Sequence, residues 1–240
     1  MSTLPEVGVA GLAVCTPDQG TRPQPAILPP NERRRAPDTV AIALEVAQAA
    51  CVNAGRDPAR LPAVFASTYG DLAITDYMCG TLARAPLTLS PTRFHNSVHN
   101  AAAGYWSIAT GCRQPYCALG AGAYTFAAGL FAAALQVCAD HTDVLFVAYD
   151  IEARGPLARI AHSRGILGVA LVLSAAPAGA ALGLQLGVTE TAAPQDQAAA
   201  PANAMAAALP LVAALERKIA AVLCLPLGPD CALEVRVRHL

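Results

Sequence analysis

The sequence is poor in charged residues and has no marked excess of either sign. Only 14% of its 240 residues are charged, and the formal net charge is −1. General nucleic-acid and membrane-surface binders need a strongly basic surface, which this composition does not provide. We therefore expect neither nucleic acid nor membrane as a partner. Hydrophobic residues make up 55% of the chain, so disorder is expected only in short Pro- or Ala-rich stretches.

Signals for export, membrane insertion and zinc binding are also missing. The N-terminus lacks the basic region and cleavage pattern of a secretory signal, and no run of about 18 apolar residues is free of Gly, Pro or polar breaks. The protein is therefore predicted to be cytoplasmic. Its eight cysteines form no CxxC pair and no Cys/His cluster at zinc spacing, so we expect no metal and no other cofactor.

The chain alternates short apolar runs with Ala-rich helical windows, a pattern typical of an α/β fold. Strands are predicted at residues 6–14, 63–67, 114–119, 143–148, 166–174 and 181–188. Helices are predicted at residues 38–54, 71–83, 90–110 and 124–139. This order predicts a layered fold in which helices cover a sheet.

The composition changes after residue 188. Residues 1–188 are expected to form one domain, followed by a Pro-, Gln- and Ala-rich linker at 189–203. Residues 204–240 are expected to form a small C-terminal helix and a hairpin, with strands at 221–225 and 232–238, which pack on the same domain. Pro210 is expected to interrupt or kink that helix.

The stretch from Ser90 to Asp150 resembles the core of the condensing enzymes, the β-ketoacyl synthases of fatty-acid and polyketide assembly. The motifs that carry the resemblance keep the family's order without a gap: Ser90-Pro91, Asn100, Ala103-Gly104, Pro115 and the strand Asp143 to Val147. Three earlier segments fit as well, namely Leu28 to Arg35, Phe65 to Gly70, and Thr75-Asp76. The first of them is similar to the corresponding segment in a branch of the family found with aryl-polyene-type polyketide systems. The resemblance spans about residues 5–188 and covers the N-terminal half of a ketosynthase.

The resemblance implies half of a thiolase-like fold, a mostly parallel sheet with helices on both faces. It also implies a partner, because the family dimerises by pairing the strand before its nucleophile across the subunit interface. An apolar edge strand left unpaired would favour aggregation, which independently indicates a partner. The expected interface residues are Gln114, Pro115, Tyr116, Cys117, Ala118 and Leu119, together with His95 and His99. Spaced by four on one helix, the two histidines could alternatively bind a metal, although no third ligand accompanies them.

A ketosynthase carries its acyl chain on a cysteine in a sharp strand-to-helix turn, where the helix N-terminus lowers the thiol pKa and backbone N–H groups stabilise the oxyanion. Here the turn is kept as Leu119-Gly-Ala-Gly-Ala-Tyr124, and Ala123 occupies the nucleophile position. Cys117 is expected to be buried in the preceding strand, and the Thr125 hydroxyl is expected to bond to the helix backbone. We therefore predict no catalytic residue.

The histidines that assist decarboxylation in the family come from its C-terminal half. Beyond Asp143 this chain has only His162 and His239, and neither lies in the family's motifs. The resemblance therefore indicates a catalytically inactive subunit, a chain-length factor, that pairs with an active ketosynthase as a heterodimer or larger assembly. An acyl carrier protein would be reached through that complex.

A chain-length factor closes the end of the partner's acyl tunnel, and bulky side chains placed there limit the length of the product. The candidates are Tyr77, Met78, Leu82, Phe94, Trp106 and Phe126, of which Phe94 is preferred, although each side chain could instead belong to an ordinary core. Two other functions stay open: a standalone acyl-thioester enzyme that uses Cys117, and a scaffold that stabilises a ketosynthase without influencing product length. The arginines from Arg33 to Arg35 are interpreted as a solvated surface or a contact for an acidic carrier protein or partner.

Overall fold

One nine-stranded sheet runs through the residues that a computed structural model describes, namely 2–16, 21–153, 155–161, 163–175, 181–190 and 203–240. In chain order the strands are β1 Ser2–Thr3, β2 Val7–Cys15, β3 Ala63–Ala66, β4 Tyr116–Leu119, β5 Val144–Ile151, β6 Ile166–Ser174, β7 Leu182–Thr189, β8 Ala221–Pro226 and β9 Ala232–His239. The α-helices are α1 Pro30–Arg35, α2 Asp38–Ala54, α3 Leu72–Arg84, α4 Pro91–Ser97, α5 Ala101–Thr110, α6 Thr125–Asp140 and α7 Leu209–Arg217.

The strand order is β4-β3-β5-β6-β2-β7-β9-β8, and β1 also pairs with β7. The α/β fold is confirmed, but the expectation of a mostly parallel sheet is wrong. Only β3 pairs in parallel, with β4 and with β5, whereas the other pairs of described strands are antiparallel. The C-terminal hairpin of β8 and β9 accounts for part of this difference. Residues 227–231, which join the two strands, are too few to bring the chain back for parallel pairing.

Helices cover both faces of the sheet, as predicted. The helices α2 and α5 bury one face of the sheet, where Ile42 of α2 and Phe65 of β3 belong to the same core. On the other face, α6, α7 and residues 204–208 form a second core that includes Leu130 and Leu211. The apolar run of β5 serves both cores, because successive side chains of a strand point to opposite faces of the sheet.

Glycines let α2 lie close to the sheet. A Cβ at Gly11 of β2 would lie 2.4 Å from the carbonyl oxygen of Ala50, and a Cβ at Gly168 of β6 would lie 2.7 Å from the Ile42 side chain. The helix ends at Gly55, whose left-handed φ of 61° suits glycine. The predicted bounds of this helix, 38–54, are confirmed.

The helix predicted over 90–110 is in fact two helices, α4 and α5, so that prediction is wrong. Val98 has an extended backbone with ψ of 142°, which ends α4. The next two side chains bond to distant segments: a ring nitrogen of His99 lies 2.9 Å from the Ser67 carbonyl oxygen, and the Asn100 amide donates to the Tyr116 hydroxyl at 3.1 Å. These contacts hold the chain in a bend that one helix could not make.

The C-terminal part extends the sheet. The predicted hairpin is confirmed as β8 and β9, and β9 pairs with β7 along its whole length. Pro210 does not kink α7, because it lies in the first turn. The backbone N–H groups of a first turn have no acceptor within the helix, so the N–H that proline lacks is not missed there. Most of the predicted linker, residues 191–202, lies outside the described residues, so the division into domain and linker stays a prediction.

The helical stretch Gly122–Asp140 is long and apolar enough to span a membrane, by length and composition alone. Its residues Phe126, Leu130 and Ala133 are buried in the core of the sheet. The core helix of a folded domain has the same composition, since such a helix is apolar on most sides.

The ion pair between Arg56 and Asp143 predicts a pH dependence of stability. Burial raises the pKa of Asp143, but hydrogen bonds from Arg56 at 2.7 Å and from the Ala175 N–H at 3.1 Å, together with the charge of Arg56, outweigh burial and lower that pKa below its usual value. A lowered pKa stabilises the fold above the unfolded value of about 4, and the contribution is lost as the pH falls through the folded pKa.

We expect Asp143→Asn to lower the free energy of unfolding by about 1 kcal/mol at pH 7 and to have progressively less effect below about pH 4. Urea unfolding at a series of pH values measures this difference. The control is Glu152→Gln, since the pair of Glu152 with Arg164 is largely exposed and its loss should have little effect. A destabilisation by Asp143→Asn that did not change with pH would contradict the explanation.

Candidate functional site

The turn from β4 into α6 is held by the hydroxyl of Thr125, which is buried. This hydroxyl accepts the N–H of Ala121 at 2.9 Å and donates to the Gly122 carbonyl at 2.7 Å. Gly122 has a positive φ of 56°, which gives the turn its sharp reversal. The prediction that Thr125 bonds to the helix backbone is confirmed, and its hydroxyl is engaged in the turn.

Ala123 lies at the outside of this turn, and its methyl group is exposed. The position precedes the first turn of the 16-residue helix α6, where N–H groups and the helix dipole favour negative charge. A methyl group has no proton to lose and no lone pair. Position 123 therefore offers no nucleophilic side-chain atom at this turn.

The loop after β3 packs directly on the turn. A Cβ at Gly120 would lie 2.8 Å from the Ser67 carbonyl oxygen and 3.0 Å from that of Thr68, so only glycine allows this approach. The same Cβ would lie 3.2 Å from Nε2 of His99, and this ring nitrogen lies 2.9 Å from the Ser67 carbonyl oxygen. His99 therefore positions the turn from within this chain.

A buried carboxylate, Asp150 at the end of β5, joins this loop to the C-terminal part. Its Oδ1 accepts the Ser67 hydroxyl at 2.9 Å and the Thr68 N–H at 3.0 Å, and its Oδ2 accepts the Ser163 hydroxyl at 2.9 Å. Ser163 in turn accepts the N–H of Ala204 at 3.0 Å. Sequence reasoning missed this network, although a charged residue that ends the apolar run 144–149 was a usable signal.

The helix α3 is anchored next to this loop by Asp71. Its carboxylate accepts the N–H of Ile74 at 2.9 Å, as an N-cap does, and the Thr39 hydroxyl at 3.2 Å. Burial raises the pKa of Asp71, an effect that these hydrogen bonds only partly oppose. The anchor fixes the direction in which α3 leaves the sheet.

Four of the six tunnel candidates lie together on α3 and α4. Phe94 and Leu82 are exposed by 57% and 55%, whereas Tyr77 and Met78 are half-buried. The guanidinium of Arg93 lies 4.2 Å from the centre of the Tyr77 ring, which ties α4 to α3 by a cation–π contact. All four side chains are thus at least partly accessible on the α3–α4 pair.

Trp106 and Phe126 do not belong to that group. Trp106 is buried in the core beneath α2 and α5, and Phe126 is buried on the opposite face of the sheet. The Phe126 ring packs 5.6 Å from the ring of Phe146. Core packing accounts for both side chains, so the structure separates them from the other four candidates.

The strand β4 forms one edge of the sheet. The carbonyl groups of Pro115 and Leu119 accept N–H groups of the β3 segment, so the alternate residues Tyr116 and Ala118 direct their backbone groups toward the open edge. Cys117 is exposed, and the expectation that it is buried is wrong. An edge strand leaves side chains accessible that an inner strand would cover, and Gln114, Pro115 and Tyr116 are exposed as well, while Ala118 and Leu119 are half-buried.

The two histidines of the predicted interface are not on one helix, which removes the basis for a shared metal site. His95 belongs to α4 and packs edge-on against the Tyr105 ring at 5.7 Å, whereas His99 follows the end of α4. Among the described residues, no group of three His, Cys, Asp or Glu side chains is placed to hold a metal ion. His239 is exposed at the end of β9, and His162 lies outside the described residues.

Comparison with known proteins gives matches to one family. The family described as "Beta-ketoacyl synthase, N-terminal domain" matches residues 11–224. Comparison with curated proteins gives no match.

Solved structures of ketosynthase complexes share the fold. A chain in the complex of the ketosynthase ApeO with its chain length factor ApeC from Xenorhabdus doucetiae superposes with a TM-score of 0.71 at 19% identity, covering 98% of this chain and 97% of that chain. A chain of the ishigamide ketosynthase/chain length factor superposes with a TM-score of 0.65 at 16% identity, covering 98% and 99%. A third match, from the complex of the type II acyl-carrier protein AntF with its ketosynthase AntDE, has a TM-score of 0.60 at 14% identity and covers 81% and 72%.

The first two of these chains are almost the same length as the present one, since each superposition covers nearly all of both chains. The family match covers most of the chain and includes the turn that bears Ala123. The chain belongs to the β-ketoacyl synthase family and carries its N-terminal domain in a thiolase-like fold.

Proposed function

We propose that this chain is a non-catalytic, chain-length-factor-like subunit that pairs with an active β-ketoacyl-ACP synthase in polyketide or polyene biosynthesis. The observation that carries the proposal is the exposed methyl group of Ala123 in a strand-to-helix turn that is otherwise complete. Acyl transfer through a covalent intermediate requires a nucleophile at that turn. The partner would therefore supply the reactive cysteine, and an acyl carrier protein would deliver the acyl group to the partner.

Pairing through β4 is supported by its position at the sheet edge and by the apolar side chains around it. Exposed hydrophobic residues of α3, α4, α5, β4 and the segments that join them include Leu82, Leu87, Phe94, Val98, Ile108 and Tyr116. Apolar patches of this kind mark protein interfaces. The solved relatives named above include complexes of a ketosynthase with a chain length factor, which agrees with the same mode of assembly here.

Phe94 is proposed to limit the acyl chain from the α4 side of the tunnel. We expect Phe94→Ala to lengthen the main product of the reconstituted complex by at least one condensation, because the removed ring leaves room for further atoms. Mass spectrometry of the released products measures the length. The matched control is Val222→Ala, since Val222 is exposed by 67% and lies on β8, at the opposite edge of the sheet from β4. Unchanged product lengths with an intact complex would favour the scaffold function instead.

The proposal is tested by co-expressing this chain, which alone carries a tag, with the ketosynthase encoded beside it. We expect a stable complex whose mass equals the sum of both subunits. After incubation with an acyl donor, the ketosynthase should gain the mass of the acyl group and this chain should not. An acyl group mapped to this chain would overturn the proposal.

A standalone acyl-thioester enzyme is the alternative, and the exposed thiol of Cys117 favours it. Within the described residues, no hydrogen bond or ion pair joins this thiol to a base, and a reactive cysteine needs a neighbour that stabilises its thiolate. Labelling of the isolated chain by an acyl thioester, abolished in Cys117→Ser, would establish this alternative.

A further inference from the structure

A cleft of about 500 Å³ opens between residues 27–32 and the helices α4 and α5. Ile27, Pro29 and Ile108 supply apolar walls, and Ile108 is exposed by 79%. The carboxylate of Glu32 and the rings of His95 and Tyr105 complete the lining. The cleft therefore combines apolar surface, two aromatic rings and one negative charge.

The negative charge of Glu32 has no ion-pair partner in the part of the chain that the structure describes. Its neighbour Arg33 instead donates to the Leu28 carbonyl at 2.8 Å, and Arg34 donates to the side chain of Asn31. Burial raises the pKa of Tyr105, a hydrogen bond with Asn96 partly opposes that rise, and the charge of Glu32 adds to it, as expected for a carboxylate near the phenol. A ligand that supplies a positive charge would therefore complete the site.

The cleft lies close to the edge strand. The helix α5 provides Tyr105 and Ile108 to the cleft and packs on β3 and β4, and Asn100 at its start bonds to Tyr116 of β4. A subunit that pairs along β4 would bring its own covering helix beside α5. The cleft therefore falls at the rim of the interface in the proposed function, on which this inference rests.

We propose that the cleft receives an arginine side chain of the ketosynthase partner. The aliphatic part of an arginine packs on apolar walls such as those of Ile27 and Ile108, and its planar guanidinium stacks on aromatic rings while bonding a carboxylate. Arginines seated in pockets are frequent anchors of protein interfaces. The apolar walls of the cleft match the aliphatic part of an arginine, its aromatic rings match the plane of the guanidinium, and its carboxylate matches the positive charge.

The test measures the affinity of the purified ketosynthase subunit for variants of this chain. We expect Glu32→Gln to weaken the complex about tenfold and Glu32→Arg about 100-fold, since the guanidinium would lose its counter-charge or meet a like charge. Raising the salt concentration should reduce the difference between wild type and Glu32→Gln. Glu32 is exposed, so both variants should fold. The matched control is Glu216→Arg on α7, at the opposite face of the sheet, which should bind like wild type.

Alanine scanning of the partner's arginines identifies the occupant, because the correct substitution should weaken binding less in a Glu32→Gln background than in wild type, whereas the other substitutions should have the same effect in both. Ala118→Pro in this chain, which removes an N–H that faces the open edge of β4, tests the pairing itself. Wild-type affinity of both Glu32 variants, with loss of binding by the proline variant, would overturn the arginine site and leave the proposed function intact. Wild-type affinity of all three variants would overturn the pairing through β4 together with the arginine site.

Discussion

Ala118→Pro is expected to weaken the complex with the ketosynthase about 10- to 100-fold, because the proposed pairing along β4 would lose one main-chain hydrogen bond. The N–H of residue 118 faces the open edge of β4, since Pro115 and Leu119 direct their carbonyl groups to β3. A proline there removes the outward donor without breaking a bond inside the chain. The affinity can be measured by calorimetry or by surface binding with the separately purified subunits.

Ala118→Ser provides the matched control for this prediction. Serine keeps the N–H and changes the side chain by a single hydroxyl group, so it should bind within a few-fold of wild type. Urea unfolding of both variants shows whether the isolated chain keeps its stability. Equal affinities of the proline and serine variants would mean that the partner does not add a strand to this edge, and another surface would have to be sought.

Asp150→Ala is expected to lower the free energy of unfolding by about 3 to 5 kcal/mol, because two buried donors and one partly buried donor lose their acceptor together. The donors are the hydroxyls of Ser67 and Ser163 and the N–H of Thr68. The single tryptophan, Trp106, is buried, so its fluorescence reports the unfolding in urea. The loop beside Gly120 should loosen in the same variant, since Ser67 and Thr68 hold that loop against the turn.

Two further variants make this result interpretable. Ser163→Ala removes one donor and should destabilise by about 1 kcal/mol, which keeps the protein folded. Glu152→Ala, two residues from Asp150 in an exposed pair, should have an effect within about 0.5 kcal/mol. If Asp150→Ala unfolded at the same urea concentration as wild type, the network would not contribute to stability.

Local sequence signals predicted most elements well. The bounds of α2 follow from its apolar content and from Gly55, whose glycine allows the left-handed stop. The strand β5 was recognisable because a strand buried on both faces is apolar at nearly every position. The strand-to-helix turn at residues 119–124 was expected from the family resemblance, and the structure shows that the Thr125 hydroxyl holds it. The assignment of Ala123 to the nucleophile position stays a prediction.

The features that sequence reasoning missed depend on contacts between distant residues. The bend between α4 and α5 is held by bonds of His99 and Asn100 to residues 67 and 116. The exposure of Cys117 depends on the position of β4 at the sheet edge, which a local apolar pattern does not reveal. Trp106 and Phe126 were grouped with tunnel residues because an aromatic side chain in a helix has the same pattern in a core and in a channel.

The pairing of β2 has a consequence for the synthesis of the protein. This strand spans residues 7–15, but its neighbours β6 and β7 are not complete until residue 189 has been made. Most of the polypeptide therefore emerges from the ribosome before β2 can pair with β6 and β7. Contacts between residues so far apart in the sequence also form slowly. During that interval apolar strands stay uncovered and prone to aggregation. Nascent chains of this protein should consequently depend on chaperones until their last quarter emerges.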